Sequence, residues 1–274
     1  MTTDLTSRPV GIFDSGIGGL TVVSAVRRLL PNESIYYIGD TARVPYGGKS
    51  PATVQRYSCE ITSLLTAHGC KAIVVACNSA SALALDVLRE TIPLPVLGVI
   101  NPGARAAVGA TRNGHIGVIG TRATIGSGAY ERAIRALRSD VQVTSRACPL
   151  LVPLIEEGWL EHEVTDRVLR EYLEPLLRAQ VDTLVLGCTH YPLLRNAIQR
   201  LVGSDATLVD SAENCAQALR YLLEAKQLSA ALSASHTLRV ALTDMPEHFL
   251  RIAQEAMQIT IDDLSVCELS AKSP

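Results

Sequence analysis

The sequence predicts an α/β protein made of two similar doubly wound parallel-sheet domains, with a cleft between them. Three observations support this prediction. Short β-branched runs alternate with amphipathic stretches, the layout of the first half recurs in the second, and polar residues follow several strands directly. The chain has 274 residues, of which 47% are hydrophobic and 19% are charged, so it can form one large domain or two small ones.

The first half contains three predicted strands, PVGIF, SIYYIGD and KAIVVA. A Gly-rich turn and the helical stretch LTVVSAVRRLL follow the first strand, and Pro31 ends that helix. Ser50 and Pro51 start a second helix as its N-cap and first-turn residue, and Gly69 is its expected C-terminal cap.

The second half repeats this layout with the strands HIGVIG and DTLVLG, and a helix restarts at Pro192 after the second of them. A further strand precedes a helix capped by Asp210 or Ser211, and the tail has two strand-like runs around one helix. VGIFDSGIGG matches HIGVIGTRATIGSG, and VVACNSASALALDVL matches LVLGCTHYPLLRNAI. We therefore expect a first domain of residues 1–97 and 207–274 and a second domain of residues 98–206.

Composition and charge argue against several function classes. The formal charge is −2, and no basic stripe indicates a nucleic-acid partner. No apolar run is long enough to cross a bilayer, and the first residues lack an apolar signal core, so a cytoplasmic protein is expected. Seven cysteines without a C-x-x-C pair predict free thiols, and the histidine spacing predicts no metal site.

Two nucleotide-binding motifs are incomplete. The Gly-rich turn after the first strand departs from G-x-G-x-x-G because Thr21 occupies its last position. The GGKS stretch at residues 47–50 resembles the end of a P-loop, but Arg43 stands where the leading glycine belongs. Neither a dinucleotide nor a nucleoside triphosphate is therefore an expected ligand.

Cys77 and Cys188 are the strongest candidates for chemistry. Each follows a predicted strand and precedes a helix, at the strand end where open parallel sheets bind ligands. Backbone N–H groups and the positive helix end favour a thiolate there. A single cysteine at such a place is as often an inert buried thiol, but two at matching places favour a functional pair. Two opposed thiols suit inversion of a stereocentre, which needs a base on one face and an acid on the other.

Polar neighbours of the thiols are expected to support this chemistry. Charge that develops on a substrate carboxylate needs preorganised donors, and Ser15, Asn78, Ser79 and Thr189 provide hydroxyl and amide groups. Asp14 and His190 can exchange protons with the thiols or adjust their acidity. Taken singly, Asp14 could instead be a helix cap and His190 a hydrogen-bonded core residue.

Five motifs occur in order along the chain: FDSGIGG at residues 13–19, GD at 39–40, PYG at 45–47, ACNSAS at 76–81 and GCTHYP at 187–192. Together they resemble the glutamate racemases of the aspartate/glutamate racemase superfamily, from about Val10 to the 220s. The Cys-Thr-His order favours the glutamate branch over the aspartate branch. Ser79 departs from the resemblance, because the family usually has Thr there; the hydroxyl is kept and a methyl group is lost.

The resemblance implies two α/β domains with the active site in the cleft, no pyridoxal phosphate and no metal. It implies that Cys77 and Cys188 are proton donor and acceptor, that Asp14 assists Cys77, and that His190 assists Cys188. The same match implies these substrate-binding residues: Asp14, Ser15, Tyr46, Gly47, Asn78, Ser79, Thr121, Thr124, Thr189 and His190. It further implies a homodimer in the bacterial cytoplasm that supplies D-glutamate for peptidoglycan.

Two other functions remain open at this point. In a cysteine hydrolase or amidotransferase, Cys188 would be the nucleophile with His190 nearby, and Cys77 would have no part. In a two-domain binding protein, a small molecule would bind tightly without exchange of its α-hydrogen. Matching thiols at two strand ends are not expected from either alternative.

Overall fold

The computed structural model describes residues 5–231, 236–246, 253 and 259–269. In this part of the chain, the alternating sequence pattern folds as predicted into two parallel β-sheets that are covered by helices. Parallel strands need long crossover connections, and the amphipathic stretches between the strands supply them as helices.

The first sheet has the strand order β10-β9-β2-β1-β3-β4. Its strands within the described residues are β1 (Val10–Asp14), β2 (Ile35–Gly39), β3 (Ala72–Val75), β4 (Val96–Gly98), β9 (Leu238–Leu242) and β10 (Asp263–Val266). The helix expected between β9 and β10 falls on residues that lie almost wholly outside the described part of the chain.

The second sheet has the strand order β6-β5-β7-β8. Its strands are β5 (His115–Gly120), β6 (Gln142–Ala147), β7 (Thr183–Gly187) and β8 (Thr207–Asp210). The order β2-β1-β3-β4 in the first sheet has the same pattern, which confirms the prediction of two similar units. Among the described residues, β9 and β10 have no counterpart beyond β6 in the second sheet.

Eleven α-helices pack on the two sheets in the described part of the chain. They are α1 (Leu20–Leu29), α2 (Pro51–Ala67), α3 (Asn78–Leu83), α4 (Leu85–Thr91), α5 (Ile100–Ala110), α6 (Arg122–Gly126), α7 (Ala129–Leu137), α8 (Leu151–Glu156), α9 (Glu163–Arg178), α10 (Arg195–Val202) and α11 (Ser211–Ala225). The expected cap of α2 is confirmed, because Ser50 Oγ accepts the N–H of Thr53. Gly69 follows that helix with a φ of 74°, in the left-handed region that glycine adopts freely.

The β1 strand illustrates why both faces of a sheet are apolar here. Alternate residues point to opposite faces, so Val10 and Ile12 pack with α1 and α11, whereas Phe13 packs with α2 residues such as Ile61. All five residues of β1 are buried, as expected for a parallel strand covered on both sides. None of the described helices is long and apolar enough to span a membrane.

The expected boundary at residue 207 differs from the observed strand pairing. The β8 strand pairs with β7 over four residues, from Thr207 to Asp210, so the second sheet extends beyond that boundary. The turn before β8 marks a strand connection, which a sequence pattern does not distinguish from a domain boundary. The expected helix start at Pro192 also shifts, because a short 3₁₀ turn (Tyr191–Leu194) precedes α10.

Candidate active site

The two sheets meet at the carboxyl ends of β1, β3, β5 and β7. The hydroxyl of Thr189, after β7, donates to Asp14 Oδ1 at 3.2 Å, and Ser79 Oγ, after β3, lies 2.9 Å from Thr121 Oγ1, after β5. The strand order reverses at β1 in one sheet and at β5 in the other, which is where parallel sheets form ligand crevices. The sequence therefore brings its polar strand-end residues to one place.

A partly enclosed cavity lies at this junction. The predicted site residues that line it are Ser15, Tyr46, Gly47, Cys77, Asn78, Ser79, Thr121, Cys188, Thr189 and His190. Val44, Pro45 and Val152 complete the lining. Asp14 and Thr124 do not line the cavity, but each is buried and contacts residues that do.

Cys77 enters the cavity as the N-cap of α3. Its thiol donates to Ser15 Oγ at 3.5 Å, and its sulfur accepts the N–H of Ala80 at 3.5 Å. Burial and the negative charge of Asp14 raise the pKa of the Cys77 thiol to about 12, although the hydrogen bonds with Ser15 and Ala80 oppose the shift. Cys77 is thus held mainly as a thiol beside a carboxyl group.

Cys188 follows β7 directly and has a histidine as its neighbour. Its sulfur lies 4.0 Å from Nδ1 of His190, and Nε2 of that ring lies 3.2 Å from Glu156 Oε1. Burial opposes a charge on the imidazole, but the hydrogen bonds with Cys188 and Glu156 outweigh it and raise the pKa of His190 to about 10. A protonated imidazole therefore places positive charge beside the second thiol at neutral pH.

Asp14 connects the two sheets beneath the cavity. Its Oδ2 accepts the N–H of Gly16 at 2.9 Å, and its Oδ1 accepts the hydroxyl of Thr189 from the other sheet. Burial raises the pKa of Asp14, and the positive charge of His190 opposes that rise. The carboxyl group is therefore coupled electrostatically to both thiol environments, through Cys77 on one side and His190 on the other.

Three hydroxyl groups form a cluster across the seam, which is the junction between the two sheets. Ser79 Oγ lies 2.9 Å from Thr121 Oγ1 and 3.4 Å from Thr124 Oγ1, and the two threonine oxygens are 3.1 Å apart. Thr121 also caps the short helix α6 by accepting the N–H of Thr124. Serine at position 79 therefore keeps a hydroxyl in contact with both threonines.

Asn78 has one free donor group at the cavity. Its Oδ1 accepts the hydroxyl of Tyr130 at 2.7 Å, which fixes the orientation of the amide. Its buried Nδ2 has no hydrogen-bond partner within the described residues. Because buried polar groups are usually paired, this amide is available to an acceptor on a bound molecule.

Gly18 lies directly against the residues that follow Cys188. A Cβ at this position would lie 2.4 Å from Nδ1 of His190 and 2.6 Å from Oγ1 of Thr189. No real Cβ makes such contacts, so only glycine lets the turn after β1 pack directly on these two side chains. Thr21 extends the seam by donating its hydroxyl to the Thr189 carbonyl at 3.2 Å.

Several residues of this site were not predicted from the sequence. Glu156 contacts His190, Tyr130 orients Asn78, and Val152 lines the cavity. They lie on α8 and α7, where helical periodicity gives no sign that they face the site. The other five cysteines do not line this cavity: Cys59, Cys70, Cys148, Cys215 and Cys267.

The cavity brings two thiols together, each with an ionisable neighbour. One thiol lies beside a carboxyl group and the other beside a protonated imidazole, and neutral donors fill the space between them. Donors of this kind stabilise negative charge that develops during proton abstraction from carbon. The cavity therefore combines groups that can take up or release protons with donors that can stabilise negative charge.

Comparison with known proteins identifies the family. Residues 20–219 match the family model for Asp/Glu/hydantoin racemases. A glutamate racemase from Geobacter metallireducens is 48% identical over 97% of this chain and 98% of its own length.

Two solved structures are similar over nearly the whole chain. A glutamate racemase isoform from Bacillus anthracis superposes with a TM-score of 0.92 at 41% identity, covering 96% of this chain and 98% of its own. The enzyme from Francisella tularensis, solved in complex with D-glutamate, gives a TM-score of 0.90 at 36% identity and covers 97% and 99%. The motif resemblance to glutamate racemases is thereby confirmed, and this chain belongs to the Asp/Glu/hydantoin racemase family of isomerases.

Proposed function

We propose that this protein is a glutamate racemase that interconverts L- and D-glutamate by proton transfer between two thiols. The observation that carries the proposal is that Cys77 and Cys188, which follow strands of different sheets, line one cavity. Inversion by proton transfer needs an acid and a base on opposite faces of the α-carbon. A substrate bound between two domains can offer one face to each thiol.

The reaction is balanced without any further reactant. One sulfur, as thiolate, takes the α-proton, so that a C–H bond breaks and an S–H bond forms. The opposite thiol then gives its proton to the other face of the carbanion, and the new C–H bond has the inverted configuration. The roles of Cys77 and Cys188 are exchanged after each turnover. The resemblance assigns proton removal from D-glutamate to Cys77 and from L-glutamate to Cys188.

Stabilisation of the carbanion is the main task of the remaining lining residues. The α-proton of an amino acid is weakly acidic, so the negative charge that spreads onto the carboxylate needs donors already in place. Asn78 Nδ2 is buried and without a partner among the described residues, and the Ser79 and Thr121 hydroxyls lie 2.9 Å apart at the seam. These groups can donate to the substrate carboxylate without reorganising.

Asp14 and His190 are proposed to serve the two thiols separately. The carboxyl of Asp14 acts electrostatically on Cys77, and the imidazole of His190 contacts the sulfur of Cys188. A general acid/base group contributes about 10²–10⁴-fold to a proton-transfer rate when it is correctly placed. Thr124 contacts the hydroxyls of Ser79 and Thr121 and keeps these two groups in place.

Glutamate is favoured over aspartate on two grounds. The chain carries Cys-Thr-His at residues 188–190, which resembles the glutamate branch. A relative of similar fold was solved in complex with D-glutamate. By the same resemblance, we propose that the enzyme works without a cofactor, as a cytoplasmic homodimer, and supplies D-glutamate for peptidoglycan.

The decisive test uses the purified protein with L-glutamate in heavy water, with a chelator and without added pyridoxal phosphate. We expect optical activity to decay while deuterium enters the α-position, and L-aspartate, run alongside, to remain unchanged. Absence of exchange with both amino acids would contradict the racemase proposal. A hydrolase that uses Cys188 alone would instead release ammonia or cleave an ester or amide, with activity that survives Cys77→Ala.

A further inference from the structure

The first sheet has two strands, β9 and β10, beyond the part that the two halves share. Strand β9 pairs with β2 from Leu238 opposite Ile35 to Leu242 opposite Gly39. The next residues along each strand are Thr243 and Asp40, so the register brings them side by side at the carboxyl edge. This edge is the one that carries the cavity.

Thr243 makes three hydrogen bonds to the last residue of β2 and to the segment that follows it. Its hydroxyl donates to Asp40 Oδ1 at 3.0 Å and accepts the N–H of Ala42 at 2.9 Å. Its own N–H donates to the Gly39 carbonyl at 3.0 Å. The adjacent residue Asp244 donates its N–H to Thr41 Oγ1 at 2.9 Å. Hydrogen bonds that involve side chains thus continue the contact between β2 and β9 beyond their last backbone pair.

Asp40 passes this contact on towards the cavity. Its carboxylate is fully buried. The Nε–H of Arg43 donates to both carboxylate oxygens, to Oδ2 at 2.7 Å and to Oδ1 at 3.0 Å, and the hydroxyl of Tyr46 donates to Oδ2. Tyr46 and Gly47 line the cavity. Gly47 also packs so closely on Thr121 that a Cβ would lie 2.6 Å from its side chain. A shift of Asp40 therefore moves Tyr46 and Gly47, the part of the cavity wall that packs on Thr121 of the second domain.

We propose that Thr243 is a positioning residue for the substrate-binding loop of residues 44–47 and acts on it through Asp40. A buried carboxylate keeps a fixed orientation only while its oxygens are satisfied by donors. The hydroxyl of Thr243 is one of those donors, and it also accepts the N–H of Ala42, which shortly precedes the loop. The second sheet lacks a strand in this place among the described residues, so the contact between Thr243 and Asp40 belongs to the first half of the molecule.

A purely structural role for Thr243 makes a different prediction. The β2 and β9 strands pair through five backbone residues each, so the sheet does not depend on the hydroxyl. If Thr243 only closed the strand end, its loss would lower stability without changing substrate affinity. If it positions the loop, substrate affinity has to change in the folded enzyme.

The test compares three variants by steady-state racemisation of both glutamate enantiomers. Thr243→Val keeps the shape of the side chain and removes the hydroxyl, Thr243→Ser keeps the hydroxyl, and Thr237→Val alters an exposed threonine at the other end of β9. We expect Thr243→Val to raise KM about tenfold, with kcat changed less than about twofold, because the loop contacts ground state and transition state alike. Thr243→Ser restores a KM close to that of the wild type, and Thr237→Val leaves it unchanged.

Hydrogen exchange of residues 41–49 provides a readout that does not depend on activity. We expect these amides to exchange faster in Thr243→Val than in the wild type, with Ala42 affected most because its acceptor is gone. If Thr243→Val does not fold, Thr243→Ala removes the hydroxyl without a branched methyl group and takes its place. An unchanged KM in an enzyme that racemises glutamate overturns the proposal, as does unchanged exchange or a loss confined to kcat.

The kinetic part of this test rests on the proposed racemase function, and the two can fail separately. A wild-type enzyme that does not racemise glutamate overturns the proposed function, while hydrogen exchange still decides the role of Thr243. A wild-type enzyme that does racemise glutamate, with the same KM in Thr243→Val, overturns only the positioning role.

Discussion

The two thiols occupy equivalent places in the four-strand order that the two sheets share but have opposite electrostatic surroundings. Cys77 caps a helix, contacts Ser15 and lies near the carboxyl of Asp14, so that burial and negative charge raise its pKa to about 12. Cys188 has no capping role and lies beside His190, whose ring is held by Glu156. The shared fold therefore positions two like groups, and their neighbours make them different.

This difference shows how a symmetrical reaction can be run by an asymmetrical site. Racemisation needs each sulfur to act as acid in one direction and as base in the other. A thiol beside a carboxyl group is suited to hold its proton, whereas the other sulfur contacts the ring of His190. Asp14 and His190 also interact with each other, so the two environments are coupled across the seam.

The largest expected effect comes from removing either thiol. We predict that Cys77→Ser and Cys188→Ser each lower racemisation by about 10³-fold or more, because a positioned acid/base group contributes up to about 10⁴-fold. In heavy water, the remaining thiol is expected to exchange the α-hydrogen of one enantiomer only, and the two variants should favour opposite enantiomers. Cys59→Ser, a half-buried thiol of α2 away from the cavity, serves as the control. Full racemisation by either variant would refute the two-thiol assignment.

A smaller effect is expected where the first domain touches the environment of Cys188. Gly18→Ala places a Cβ 2.4 Å from Nδ1 of His190, so the ring has to move relative to the sulfur. We predict a decrease of about 100-fold in kcat, the size expected for a misplacement of about 1 Å at a reacting group. The α-deuterium isotope effect should rise for the enantiomer that Cys188 deprotonates.

The matched control for this change is Gly109→Ala, since a Cβ at Gly109 in α5 meets no atom within 4 Å. Alanine also favours the helix there, so stability should be kept or improved. Equal isotope effects for both enantiomers of Gly18→Ala would show that Gly18 does not act through His190.

The smallest effect concerns the charge on His190. Its pKa in the folded state, about 10, lies above the ordinary value of 6.5, so its protonation stabilises the fold fully below pH 6.5. That contribution is lost as the pH rises through about 10. Glu156→Gln removes one of the two hydrogen-bonded partners that raise this pKa. We therefore predict that the variant loses less unfolding free energy between pH 7 and 10 than the wild type does.

Urea unfolding at several pH values in this range measures the difference, and Glu157→Gln is the control because its side chain is exposed next to the same helix. Identical pH slopes for wild type and Glu156→Gln would mean that Glu156 does not set the protonation of His190. If the unfolding free energy becomes independent of pH only in Glu156→Gln, this would establish the contrast between the environments of Cys77 and Cys188.

Local signals in the sequence predicted the elements of this protein well. Alternating apolar runs placed the strands, Ser50 and Gly69 marked the ends of α2, and the two thiols stood out by following strands in matching halves. These features depend on residues close together in the chain, because caps, turns and buried strands are formed by their own neighbours. The polar residues that directly follow strands could be singled out for the same reason.

Contacts between distant segments were decided by the tertiary structure alone. Which sheet contains β8, which carboxylate holds His190, which tyrosine orients Asn78 and which threonine reaches Asp40 all depend on how strands are ordered and domains are docked. Helical or strand periodicity indicates that a face is buried, but not what lies against it. The sequence by itself thus determined the two halves and their thiols, and the packing of those halves decided how differently the thiols are surrounded.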